Sequence, residues 1–148
     1  MHMTRLRGAQ TVIVGIEESR VHIDSDGAIV EARQRGRSLA LGLGFSAGSA
    51  TLIATSISEL ARNILLYAGE GEIALQPLRT GGRYGLAVFA SDHGPGIADL
   101  ERALEDGYST SGRLGLGLPG VRRLMDEFEV RTNGVGGTVV RAAMWNHS

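Results

Sequence analysis

The 148-residue chain has no cysteine and no lysine; its 15 basic residues are all arginine. The first absence excludes a disulfide scaffold, thiolate metal sites and a cysteine nucleophile. The second excludes a P-loop, whose lysine reaches the β- and γ-phosphates, and the protein kinases that carry a lysine on their third strand. Schiff-base chemistry is excluded with them. Long hydrophobic runs are also missing. The apolar run near the N-terminus stops at Glu17, too early for a signal peptide or a membrane span. A net charge of −1 gives non-specific nucleic-acid binding no bulk electrostatic support. The expectation is a cytoplasmic protein with neither nucleic acid nor membrane as partner.

What is present is ordinary in bulk: 43% hydrophobic and 21% charged residues, the balance of a folded globular chain. The length suits one domain over 1–148, with residues 1–10 expected to be flexible. Glycine is the exception, at 22 residues, about twice average usage. Many of these glycines fall between Gly94 and Gly137 among apolar residues, which is not the composition of a linker.

Periodicity predicts strands at 11–16 and 20–24 and a helix at 29–43 that leaves Arg33, Arg35 and Arg37 mostly on its wet side. Such a cluster is either a solvated face or a docking patch. The strongest helix is 49–68, where Ile53, Ile57, Leu60 and Ile64 step by four, three and four residues into one apolar stripe. Strands at 71–78 and 83–92 join across the hairpin turn "RTGGR". Helices are then expected at 98–107 and 118–128, and closing strands at 129–132 and 137–145. The sum is an α+β domain whose largely antiparallel sheet carries helices on one face.

Gly115-Leu-Gly117-Leu-Pro-Gly120 matches G-x-G-x-x-G by letter. A dinucleotide fingerprint must follow a buried strand and precede, by about 20 residues, an acid at a strand end. Here a polar, turn-forming stretch comes before it, and Val140 stands where the acid belongs. The dinucleotide reading fails on context.

Three features remain for a nucleotide site. Glu59 and Asn63, four apart on the long helix, share a face and sit roughly 100° from the centre of its apolar stripe. A carboxylate there can accept a proton from a hydroxyl, and an amide oxygen one turn on can ligate Mg²⁺. Two polar residues flanking a core helix would look the same. Asp92, at the end of an apolar strand, precedes Gly94-Pro95-Gly96. A carboxylate can accept from an adenine amino group, and glycines allow close approach to a flat base; a plain Gly-Pro turn is the alternative. Gly112, Gly115, Gly117 and Gly120 lead into a helix whose N-terminus favours phosphate. Asp106, Ser109, Thr110 and Ser111 before them suit a lid. Arg113 either reaches a phosphate or is solvated.

Taken in order, E-x-x-x-N (Glu59, Asn63), D-x-G-x-G (Asp92, Gly94, Gly96), G-x-G-x-x-G and the late Gly137-Thr138 resemble the conserved boxes of the GHKL ATPase superfamily. From Val21 onward, "ISELARNI", "YAGEGEI", "DHGPGI", "EDGYSTS" and "LGLGLPGVRRLMDEF" look like the stressosome switch kinases, relatives of the anti-sigma-factor serine kinases. The resemblance implies the Bergerat two-layer α/β sandwich with a mixed, mostly antiparallel sheet. It implies Glu59 as general base, Asn63 as Mg²⁺ ligand and Asp92 as adenine carboxylate, with Thr138 assisting. Gly94, Gly96 and Ile97 would lie beneath the base. Ser109, Thr110, Gly115, Leu116, Gly117, Leu118 and Gly120 would form the lid and phosphate-facing backbone. No role falls to His93. The implied activity is ATP- and Mg²⁺-dependent phosphorylation of a STAS-domain antagonist, followed by activation of a downstream PP2C-type phosphatase. The alternatives are an anti-sigma kinase that sequesters a sigma factor, or engages an anti-anti-sigma protein, and a nucleotide-dependent docking module.

Overall fold

The computed structural model describes residues 4–6, 9–13, 18–94, 117–132 and 137–146. Its elements in chain order are β1 (Thr4–Leu6), β2 (Ala9–Ile13), β3 (Ser19–Ile23), α1 (Asp26–Gly42), α2 (Ala47–Ala68), β4 (Gly71–Thr80), β5 (Arg83–Asp92), α3 (Gly117–Leu124), β6 (Glu127–Thr132) and β7 (Thr138–Trp145). The helix expected at 98–107 lies outside the described residues. β1 was not anticipated; it pairs with β2 at the start of the chain.

Local chemistry sets the helix ends. Ser25 caps α1 by accepting from the Ala28 N–H at 3.2 Å, which starts the helix three residues before the periodicity does. Ser46 caps α2 in the same way through Ser49, and Gly69, at φ +82°, closes it in a conformation that disfavours side chains. The β4–β5 hairpin turns on Gly81 and Gly82, both at positive φ, as a two-residue primed turn requires.

The sheet runs β1-β2-β4-β5-β7-β6, with β3 also paired along β4, and every described ladder is antiparallel. Helices cover one face. There Ile53, Ile57, Leu60 and Ile64 of α2 pack with Ile73 and Leu75 of β4, Leu86 and Val88 of β5, and Ala142 of β7 in the main core. The opposite face carries a smaller cluster of Leu78, Ala87, Ala143 and Trp145. This is the expected two-layer α+β sandwich. The arginines of α1, Arg33, Arg35 and Arg37, are exposed, and Arg35 pairs with Glu31 at 2.6 Å.

The helix expected to run to residue 128 stops at Leu124. Asp126 explains the difference. Its N–H donates to the Ala143 carbonyl at 2.9 Å, and its carboxylate accepts from the Trp145 N–H at 2.7 Å. Glu127 then meets Arg141 at 2.8 Å and the Trp145 indole N–H at 2.7 Å. Contacts to β7 thus draw "DEF" into the sheet against its helical periodicity.

Candidate active site

The site is built where α2, β5, β7 and α3 converge. Asp92 is the last residue of β5 and points to the helical side of the sheet, because its register partner Thr138 and the neighbouring Ala90 and Val140 face that way. Thr138, the first residue of β7, stands directly opposite Asp92. Asn63 and Tyr67, four apart on α2, come over them. Leu118 of α3 closes the side. An open cleft of about 370 Å³, solvent mouth included, is lined by Leu60, Asn63, Ile64, Tyr67, Ala90, Asp92, Leu118, Thr138 and Val140. Its walls are aliphatic and its polar groups few, the make-up of a site for a flat, mostly apolar group held by specific hydrogen bonds.

The Asp92 corner is tightly built. One carboxylate oxygen, Oδ1, accepts from the Gly94 N–H at 3.0 Å, a local turn that fixes the side chain. Gly94 has no room for more: a Cβ there would lie 2.6 Å from the Ala68 Cβ. Gly71, the register partner of Asp92 across β4–β5, is tighter still, since its Cβ would fall 2.4 Å from the Ser91 carbonyl oxygen. Sequence reasoning passed over Gly71, whose only signal was a glycine at a strand start. We expect Gly71→Ala to lower unfolding free energy by about 1–3 kcal/mol, read as a lower denaturant midpoint at unchanged slope.

Glu59 stands one turn before Asn63 and outside the cleft lining. Its side chain is 12% exposed and its carboxylate is held on both oxygens: Oε1 accepts from the Gly117 N–H at 3.0 Å, and Oε2 pairs with Arg62. Gly117 opens α3 at φ +61°, a conformation that glycine adopts without strain. Glu59 therefore tethers the end of the glycine-rich stretch to α2. Neither that contact nor Arg62 was foreseen, because an i,i+3 charge pair is a common helix-surface pattern. Gly120 is buried in α3 and does not line the cleft.

Of the residues expected at the site, the structure brings together Glu59, Asn63, Asp92, Gly94, Gly117, Leu118 and Thr138. Gly96, Ile97, Ser109, Thr110, Gly115 and Leu116 lie outside the described residues, as do Asp106, Ser111, Gly112 and Arg113. Exposed His93 lines a separate crevice with His22, Glu70 and Glu72.

The fold is a two-layer α/β sandwich with a cleft at one end of its sheet, and residues 24–144 match the histidine kinase-like ATPase domain family. The chain belongs to that family and binds ATP. Within it, the chain is 50% identical over 129 residues to the serine/threonine-protein kinase RsbT of Bacillus subtilis, an alignment spanning 87% of this chain and 97% of that one. It is a serine/threonine-protein kinase. It is also 30% identical over 95 residues to the anti-sigma F factor of Thermoanaerobacter, covering 60% of this chain and 65% of the other. Two crystal structures share the fold. One, the SiaB–SiaC complex from Pseudomonas aeruginosa, superposes with a TM-score of 0.61 at 15% identity, over 87% of this chain and 89% of that one. The other, the RsbU and RsbW domains of Rv1364c from Mycobacterium tuberculosis, gives 0.53 at 18% identity, over 85% of this chain and 32% of that longer one. No helix among the described residues is long and apolar enough to cross a membrane.

Proposed function

We propose that this kinase is the switch of a cytoplasmic partner-switching pathway: it phosphorylates a STAS-domain antagonist and, once released, binds and activates a PP2C-type phosphatase. The observation that carries the site assignment is the convergence of Asn63, Asp92 and Thr138 on one cleft, with Glu59 a turn away on α2. Asp92 and Thr138 hold the adenine edge, while Ala90, Val140, Ile64 and Leu118 bury its faces. Gly94, Gly96 and Ile97 are assigned to the base-binding side of the site. The phosphate-binding and lid role is assigned to Ser109, Thr110 and residues 112–120. Gly115 and Leu116 supply backbone donors, and the helix start before Gly120 favours the phosphate charge. Gly117, whose own N–H is taken by Glu59, joins that stretch to α2.

Asn63 fits a metal role. It lines the cleft, and its amide has no bonding partner among the described residues. An amide oxygen is the hard donor that Mg²⁺ takes alongside phosphate oxygens. The ion would offset charge developing on the transferred phosphoryl group. Glu59 takes the proton of the partner's serine or threonine hydroxyl as that oxygen bonds to the γ-phosphorus. The bridging P–O bond breaks, and ADP leaves with the electron pair.

The test combines the full chain, γ-labelled ATP and a STAS-domain protein encoded by a neighbouring gene. The expected result is label on serine or threonine of the STAS protein, lost on chelation by EDTA and restored by excess Mg²⁺. Undiminished transfer in EDTA overturns the metal assignment. The similarity to anti-sigma F factors supports a second reading, sequestration of a sigma factor. Capture of a sigma factor with no transfer to any STAS protein would favour it.

A further inference from the structure

Arg62 has no place in the cleft, yet it touches the Glu59 carboxylate beside it. It follows Glu59 by three residues on α2, and its guanidinium pairs with Oε2 while the Gly117 N–H of α3 holds Oε1. Most helix-surface ion pairs are open to water at both ends and contribute little. This one is lopsided: the Glu59 side chain is 12% exposed, whereas Arg62 is 32% exposed. A glutamate has three rotatable bonds, and a proton acceptor works only within hydrogen-bond reach of the proton it takes. Two donors from two elements, one on each oxygen, remove that freedom. Each oxygen keeps a further lone pair for an incoming proton.

We propose that Arg62 is a positioning residue for phosphoryl transfer: by holding Oε2 it keeps the Glu59 carboxylate turned toward the reacting hydroxyl and away from solvent. The inference rests on the reading of Glu59 as the base. Its experiment therefore measures both residues in the full chain, with γ-labelled ATP and the STAS-domain protein of a neighbouring gene as acceptor. Arg62→Met keeps an unbranched, flexible stem and removes the donors and the charge. It should lower kcat about 10- to 100-fold, the scale of a misplaced reacting group, with ATP affinity and KM for the acceptor unchanged. Tm should fall by no more than about 4 °C, the limit for a partly exposed pair. Arg62→Lys, which restores a donor and the charge, should recover most of the rate. Added to Glu59→Gln, Arg62→Met should cost nothing further in residual rate, because its target is gone.

A wild-type kcat for Arg62→Met beside a disabled Glu59→Gln overturns the positioning role and leaves the base intact. A change confined to KM for the acceptor overturns it too, and makes Arg62 a docking contact. Loss that lysine does not rescue, accompanied by a Tm drop of more than about 4 °C, overturns it in favour of a structural pair. Full transfer by Glu59→Gln overturns the base reading itself, and this inference with it.

Discussion

Replacing Glu59 with glutamine is expected to leave ATP bound and abolish most transfer to the proposed STAS-domain substrate. The two effects separate because of where the side chain sits. Glu59 lies outside the cleft that Asn63, Asp92 and Thr138 line, so nucleotide affinity should stay within about threefold, less than 1 kcal/mol. A glutamine Oε1 can still accept from the Gly117 N–H, so the tether between α2 and α3 survives. What glutamine cannot do is accept a proton from a hydroxyl. Losing a positioned general base costs about 10²–10⁴ in rate. The broken pair with Arg62 adds at most about 1 kcal/mol of lost stability, since that pair is partly exposed. Isothermal titration with ATP and single-turnover transfer on the same preparation check both halves. Unchanged transfer would remove Glu59 from the chemistry and leave it only the tether.

How much of this was legible beforehand follows from the range of the forces involved. The helix stripe of Ile53, Ile57, Leu60 and Ile64, the hairpin on Gly81-Gly82 and the strand ending at Asp92 are local patterns, and the structure repeats them nearly residue for residue. Asp92 opposite Thr138 is not local. It follows from a β5–β7 register between residues 46 positions apart, and only the order of the motifs hinted at it. The early end of α3 was hidden for the same reason, because Asp126 and Glu127 obey Ala143, Arg141 and Trp145 rather than their own periodicity. Gly71 was hidden because a missing Cβ matters only once Ser91 is known to pass beside it. Glu59 was found for its spacing to Asn63. Its grip on Gly117, 58 residues away, needed the fold.

Asp92→Asn should weaken ATP binding by about 10- to 100-fold, and the cause lies in a count of acceptors. Oδ1 already receives the Gly94 N–H at 3.0 Å, so the turn needs an acceptor on that side. An adenine amino group needs another acceptor on the opposite side. A carboxylate offers both; an amide offers one oxygen and one NH₂. With its oxygen on Gly94, asparagine aims NH₂ at the adenine amino group, donor against donor. Turned over, it leaves the Gly94 N–H facing a donor in a corner where Ala68 allows no shift. A hydrogen bond to a charged group contributes about 1.5–3 kcal/mol, which sets the size of the loss. The sign of a second effect follows from the same geometry. Guanine carries a carbonyl oxygen where adenine carries its amino group, so a carboxylate reading that edge would repel GTP, whereas an asparagine NH₂ could donate to it. Asp92→Asn should therefore narrow the ATP-over-GTP preference, measured by competition against a fluorescent nucleotide. Equal loss of both nucleotides would mean that Asp92 shapes the corner without reading the base. Undiminished ATP affinity would move the base out of this cleft altogether.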